Sequence, residues 1–295
     1  MMKKVLKWMG IVVSILLGII VVAAIVLSIS GNAQFSRTRK VQGEQIAIPI
    51  DEAALVRGKH LVEVSCVGCH GSDLSGTVVV DDPALATIYG SNISGLAETH
   101  TDEEIVRAIR HAVDSDGRQL IVMPAESFVH FSQEDLGAVV AYLKTVPQAG
   151  EEKPAPRPGP VGRILMGAGV LSNLFPASYI DHNMPFPEMP EVGANEAYGE
   201  YISRFCFACH GDNLAGGQPA DPASPAAPNL TMGGELQGWT QADFLKAMRS
   251  GVTPTGRQLN PEFMPYESYG KLADEELTGL WMYLQSQPPV QTAVE

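Results

Sequence analysis

Basic charge is scarce over most of this chain. Residues 1–40 hold six of the 20 Lys and Arg and no acid, so the other 255 residues set 14 bases against 33 acids. A surface that acidic repels the phosphate backbone and excludes a nucleic-acid-binding role. It suits a partner with a basic docking face. A merely soluble surface would look the same, because net charge does not say where the acids sit. Alternation of apolar and polar residues is missing over any useful length, which argues against a sheet-based fold. Cysteine is confined to four positions, Cys66, Cys69, Cys206 and Cys209. Apolar residues are not lacking: at 45% of 295 residues they supply cores for about two domains beside a membrane segment.

Residues 11–29 (IVVSILLGIIVVAAIVLSI) form an uncharged apolar run of 19. At ~1.5 Å per residue, a helix of this run crosses roughly the hydrocarbon core of a bilayer. Lys3, Lys4 and Lys7 precede it, which predicts a cytoplasmic N-terminus with the rest of the chain outside. Arg37, Arg39 and Lys40 follow it and weaken that bias. A cleaved signal peptide is the rival reading, with Gly31-Asn32-Ala33 as a cleavage site. The run is longer than a usual signal core, and both readings export the chain.

In an exported chain, four cysteines suggest disulfides, a zinc site or a dithiol. None of these accounts for the residue that follows each pair. CVGCHG at 66–71 and CFACHG at 206–211 each place a histidine, His70 or His210, directly after Cys-x-x-Cys. That is the attachment signature of c-type haem. Two thiols add to the two vinyl groups on one porphyrin edge, and the next residue offers an imidazole to the iron. Two such motifs use every cysteine, leaving none for a disulfide or a thiolate ligand, and predict two covalently bound haem c groups.

The duplication extends beyond these motifs. TDEEIVRAIRHAVDSDGRQL at 101–120 matches TQADFLKAMRSGVTPTGRQL at 240–259, and MPAESF at 123–128 matches MPYESY at 264–269. The second copy gains two residues within 260–263. SQEDLGAVVAYLKTVP and ADEELTGLWMYLQSQP close the two copies, so the chain repeats one module of about 95 residues. Each module reads as helical. Thr101 with Glu104, and Thr240 with Asp243, have capping-box spacing. Ile105, Ala108 and Ile109 form a helical stripe, as do Phe244, Ala247 and Met248. Leu136, Val139, Val140 and Leu143 form another, matched by Leu277, Leu280, Trp281 and Leu284.

A short helix, CxxCH, an Asn-(Leu/Ile)-(Ser/Thr) loop, a capped helix, GRQL, Met-Pro and a closing helix follow in order. This order resembles the class I cytochrome c fold. It is most similar to the membrane-anchored, multi-domain cytochromes c that serve bacterial dehydrogenases and respiratory complexes. The resemblance covers residues 51–147 and 192–288, with a membrane anchor and its flanks at 1–40 and a Pro-rich connector at 148–191. It implies an all-α fold: one transmembrane helix followed by two tandem cytochrome c domains.

It also names the methionine of each Met-Pro pair, Met123 and Met264, as the second axial ligand opposite His70 and His210. The physical reading agrees, because a thioether is a soft ligand suited to haem iron. Core packing is the alternative for a lone Met, but it does not explain recurrence 53 and 54 residues after the two histidines. The family loop carries Pro-Asn-Leu, whose proline carbonyl orients the axial histidine. Pro228-Asn229-Leu230 fits, whereas Ser91-Asn92-Ile93 lacks the proline, so the two haems are expected to differ in potential. Arg118 and Arg257 of GRQL have two readings, as haem propionate contacts or as surface and helix-end residues.

His60, His100, His111 and His130 have Tyr201, Trp239, Ser250 and Tyr269 or Gly270 at the matching positions of the second copy. A shared ligand would not be replaced in this way, so these histidines read as packing or surface residues. Trp239 and Trp281 read as packing. In the connector, PAPRPGP at 154–160 predicts a stiff stretch, and 164–180 is too apolar for a free linker. Met166, Met184, Met189 and His182 there are weaker ligand candidates.

An iron held by His and Met has no open position, so it passes single electrons. The resemblance implies a dihaem electron-transfer protein, not an enzyme, on the periplasmic side of the bacterial inner membrane. Its expected partners are redox proteins: a dehydrogenase, a quinol-oxidising complex or a terminal oxidase. The alternative is a dihaem enzyme with one open iron, peroxidase-like or thiosulfate dehydrogenase-like. The first conflicts with two Met-Pro pairs, and the second lacks a spare cysteine. A purely structural subunit would not need every ligand kept in both copies.

Overall fold

A computed structural model of the chain describes residues 2–219 and 224–291. Its helices are α1 (Met2–Phe35), α2 (Glu52–Ser65), α3 (Val67–His70), α4 (Leu96–Thr99), α5 (Asp102–His111), α6 (Ala125–Phe128), α7 (Gln133–Thr145), α8 (Pro160–Gly167), α9 (Glu196–His210), α10 (Gln241–Ser250), α11 (Tyr266–Tyr269) and α12 (Asp274–Ser286). The first module thus spans α2 to α7 and the second α9 to α12. The chain is mostly helical, in agreement with the sequence reading.

Both predicted capping boxes form. The Thr101 hydroxyl accepts from the Glu104 N–H and the Glu104 carboxylate accepts from the Thr101 N–H; Thr240 and Asp243 do the same. The predicted stripes point inward. Leu136, Val139, Val140 and Leu143 are buried in one core, and Leu277, Leu280, Trp281 and Leu284 in the other. Within each module the first helix crosses the last at a glycine. A Cβ on Gly58 would lie 2.0 Å from the Ala138 carbonyl oxygen, and one on Gly199 would lie 1.9 Å from that of Gly279. Glycine is therefore what allows these helix backbones to touch.

Counted from these glycines, the first module has one residue more before its Cys-x-x-Cys than the second. The extra residue breaks the helix at Cys66, so α2 and α3 are separate, while α9 runs unbroken to His210.

One feature departs from the all-helical expectation. A small antiparallel sheet joins β1 (Val78–Asp82), β2 (Ala86–Tyr89) and β3 (Arg157–Pro158). The β1–β2 turn is held by the Asp82 carboxylate, which accepts from the Ala84 and Leu85 N–H groups. The third strand comes from the connector, so the sheet fastens the connector to the first module. The connector then continues through α8 and a buried cluster of Met166, Leu171 and Phe175.

The segment after α1 is also docked on the first module. The Arg39 N–H donates to the Gly117 carbonyl at 2.7 Å, and Gln119 Nε2 donates to the Gln34 carbonyl at 2.7 Å. In this copy the GRQL motif therefore holds the end of α1. Helix α1 itself is long and apolar enough to cross a membrane, with a mean hydropathy of 3.2 over its best window and no residue of that window buried.

The modules pack about a local two-fold, shown by three pairs of matched positions at an offset of 141: Arg57 and Tyr198, His60 and Tyr201, Asp135 and Glu276. The Arg57 guanidinium donates to both oxygens of Asp135 at 2.8 Å, to Glu276 at 2.9 Å and to the Tyr198 hydroxyl at 2.9 Å. His60 Nε2 donates to Glu276 at 2.6 Å, and the Tyr201 hydroxyl donates to Asp135 at 2.8 Å. Each carboxylate thus takes donors from both modules. Burial alone would push the Glu276 carboxyl up, but hydrogen bonds from His60 and Tyr198 outweigh it and bring it down to about 2. The Arg57 guanidinium is held above its usual range, because hydrogen bonding and charge from Asp135 outweigh its burial.

Candidate haem sites

Each Cys-x-x-Cys-His ends a helix and is followed by glycine in the left-handed region, Gly71 at φ +80° and Gly211 at φ +77°. This glycine turns the chain sharply, which explains the sixth letter of both motifs. Three residues on, Leu74 and Leu214 take φ values of +60° and +57°, although neither is glycine. Both leucines are buried, and their carbonyls accept from Ile93 and Leu230 at 2.8 Å. Strain repeated at matched positions marks a loop whose shape is over-determined by its surroundings.

That loop aims the histidine. His70 Nδ1–H donates to the Ser91 carbonyl at 2.8 Å, and His210 Nδ1–H donates to the Pro228 carbonyl at 2.8 Å. The missing proline at position 91 therefore does not remove the bond, and the expected difference between the sites loses this basis. The accepting carbonyls are fixed by an asparagine clamp in each copy. Asn92 accepts from the Ser94 N–H and hydroxyl and donates to the Ala149 carbonyl; Asn229 accepts from Thr231 in the same way and donates to the Val290 carbonyl. With Nδ1 protonated, Nε2 carries the lone pair that a metal needs. Burial lowers the pKa of both histidines, partly offset by the Ser91 and Pro228 carbonyls, and this favours the neutral ligand form.

No two of the four cysteines are joined in a disulfide. Burial pushes the Cys66 thiol up to about 11 and the Cys206 thiol up to about 12. Among the described residues no group of three or more His, Cys, Asp and Glu is gathered as for a metal ion.

Met123 is half-buried against both apolar clusters of the first module, and Met264 is half-buried in the core of the second. Each precedes a proline that starts a short helix, α6 or α11. The two residues gained before Met264 lie in a turn in which the Phe263 and Met264 N–H groups both donate to the Asn260 carbonyl.

The remaining residues singled out in the sequence are engaged elsewhere. Arg118 pairs with Asp114 and Asp116, and Arg257 pairs with Glu235; both arginines are exposed. His100 meets the Thr99 hydroxyl. His111 is buried between Glu44 and His182. His130 is half-buried, and burial lowers its pKa. His60 belongs to the interface network. Met166 is buried in the connector cluster. The Met184 carbonyl accepts from Arg110, and the Met189 sulfur accepts from the Ser132 hydroxyl at 3.4 Å. Trp281 packs on Phe244, and Trp239 lines the second core.

Sequence reading missed how the two sites face each other. The Ser127 hydroxyl of α6 donates to the Arg204 carbonyl at 2.9 Å, just ahead of the second cysteine pair. A Cβ on Gly68, within the first pair, would meet the Ser268 hydroxyl of α11 at 3.7 Å. The helix after each Met-Pro thus rests on the attachment motif of the other module. Phe205 lies among Phe128, Phe131 and Tyr269, with ring centroids 6.5, 5.7 and 6.2 Å away. The Tyr269 hydroxyl donates to the Phe205 carbonyl. Burial raises its pKa, and nearby Cys206, Cys209 and Cys69 add to the shift. One tyrosine therefore borders both attachment motifs.

This helical module, with its histidine-aiming loop, is the architecture of a haem-carrying electron-transfer domain. The chain belongs to the cytochrome c family, whose model matches it twice, at residues 55–147 and 197–288. As a member of that family it is an electron-transfer protein that carries covalently attached haem c. It is 27% identical over 277 residues to the cytochrome c subunit of the alcohol dehydrogenase (quinone) of Gluconacetobacter polyoxogenes, covering 81% of this chain and 57% of that protein. It is 34% identical over 117 residues to the gluconate 2-dehydrogenase cytochrome c subunit of Pantoea cypripedii, covering 34% of this chain and 25% of that protein. The fructose dehydrogenase cytochrome subunit of Gluconobacter japonicus is 33% identical over 97 residues, covering 29% and 19%. The chain spans little more than half the length of the first of these relatives.

Proposed function

We propose that the chain is a membrane-anchored dihaem cytochrome c that relays single electrons on the periplasmic side, from a dehydrogenase to a further acceptor. The domains are residues 51–147 and 192–288, joined by 148–191 and preceded by the anchor at 1–40. Cys66 and Cys69 hold one haem and Cys206 and Cys209 the other; His70 with Met123, and His210 with Met264, are the axial ligands. The observation that carries this reading is the matched pair of Nδ1–H to carbonyl bonds, which leave both Nε2 atoms free to ligate. Each haem, when bound, supplies one-electron exchange at its iron.

The chain's own residues set the conditions. The asparagine clamps fix each imidazole. A methionine at the second axial position raises the potential relative to a second histidine. The aromatic group of Phe128, Phe131, Phe205 and Tyr269 fills the space between the attachment motifs and keeps water from it. Arg118 and Arg257 are assigned to their own loops, since each already has an acidic partner there. Three relatives are named as cytochrome subunits of dehydrogenases, which supports a dehydrogenase as the donor. The excess of acids over bases after residue 40 suits a basic docking face on such a partner.

Carbon monoxide tests the ligand set. Added to the fully reduced protein, it is expected to leave the optical spectrum unchanged, because both irons are closed. A shift at either haem would mean that Met123 or Met264 is not the ligand, and would favour a dihaem enzyme.

A further inference from the structure

Helix α8 lies antiparallel against the end of α1 in direct backbone contact. A Cβ on Gly31 would sit 1.9 Å from the Arg163 carbonyl oxygen, and one on Gly167 would sit 2.0 Å from that of Leu27. The two glycines thus let the helices touch at two points one turn apart. Farther out, the rings of Phe35 and Phe175 meet edge to face at 6.5 Å. These contacts fix the direction of α8: its C-terminal end points toward the apolar body of α1.

Leu27 belongs to the apolar run at 11–29. The turn that follows Gly167 therefore stands at the level of that run. Residues 164–180 contain no charged side chain. Ala168, Gly169 and Val170 at the turn are exposed, Val170 by 52%. In water, this is apolar surface left uncovered beside a helix that is itself uncovered.

We propose that residues 168–170 enter the boundary between headgroups and acyl chains beside α1, giving the protein a second lipid contact through its connector. The inference rests on the reading of α1 as a membrane anchor. Lipid is the occupant because the exposed turn is continuous with the lipid-facing surface of α1 and sits at the depth of Leu27. The consequence is orientation. The docked segment after α1 already ties the first module to the helix, and a second lipid contact, joined to that module through β3 and the sheet, keeps it from rotating about the α1 axis.

Spin labels on the full haem-loaded chain in lipid vesicles test this. With all four native cysteines bound to haem, Val170→Cys offers a single free thiol, and so does Val13→Cys within α1. In the reduced protein, the label at 170 is expected to relax with oxygen dissolved in lipid and to be shielded from a water-soluble nickel chelate. A label at the exposed Ala168 should behave alike. A lipid-shielded label at 13 with nickel-accessible labels at 168 and 170 would overturn the inference and leave the anchor standing. Nickel access at all three positions would overturn the anchor and the inference together.

Discussion

Replacing Met264 by histidine is expected to lower the potential of one of the two haems and leave the other nearly unchanged. A second imidazole donates more strongly than a thioether and stabilises the oxidised iron. Axial ligand identity sets haem potentials over a range of roughly 0.8 V, so the shift should be on the order of tenths of a volt. The position suits the test. Met264 is half-buried in the second core, and its backbone is held by the Asn260 carbonyl, so a shorter side chain is presented from the same place. Met123→His should give the complementary result. Redox titration followed by visible absorption checks both variants. If neither potential moves, the Met-Pro methionines are core residues and the ligands lie elsewhere.

Arg57→Ala should cost about 3–5 kcal/mol of folding stability, the range for breaking a buried ion pair by removing one partner. Arg57 is the only cation that touches both Asp135 and Glu276 among the described residues, and these carboxylates are 1% and 2% exposed. Without it, His60 and the Tyr198 and Tyr201 hydroxyls remain, but Asp135 keeps no positive partner. Chemical denaturation in detergent, monitored by far-ultraviolet circular dichroism, measures the loss. The combined variant Arg57→Ala, Asp135→Asn, Glu276→Gln should recover part of it, because the uncompensated charges are gone. A loss below about 1 kcal/mol for Arg57→Ala would show that the network sits in higher dielectric than its burial implies.

Most of the modular structure was legible because it depends on local pattern. Capping pairs lie three residues apart and stripes recur every three or four, so Thr101, Thr240 and the leucines of α7 and α12 could be placed without coordinates. The cysteine motifs are equally local. The sheet was not legible, since its strands are short and β3 lies about 70 residues beyond β2 in sequence. Only the fold brings Arg157 beside Thr87.

The interface was hidden for a different reason. Comparing the repeats pairs His60 with Tyr201, and the histidine then reads as a packing or surface residue. In the folded chain they are complementary donors to Asp135 and Glu276. His60 and Tyr201 each reach the carboxylate of the other module and Arg57 reaches both carboxylates, so the match shows only when both modules are in view. The proline missing at position 91 misled in the opposite sense. The loop uses a backbone carbonyl, which any residue supplies, so Ser91 does what Pro228 does. The glycines at 31 and 167 were silent as well, because close helix contact shows only when both helices are in view.

The central claim is that one chain carries two closed, one-electron haem sites. Spectroelectrochemical titration of the purified full-length protein, with haem and iron counted per chain, tests it most directly. Two haems per chain are expected, with two one-electron Nernst steps that together take up two electrons. A single haem per chain would contradict it, and so would a step whose potential moves on addition of carbon monoxide.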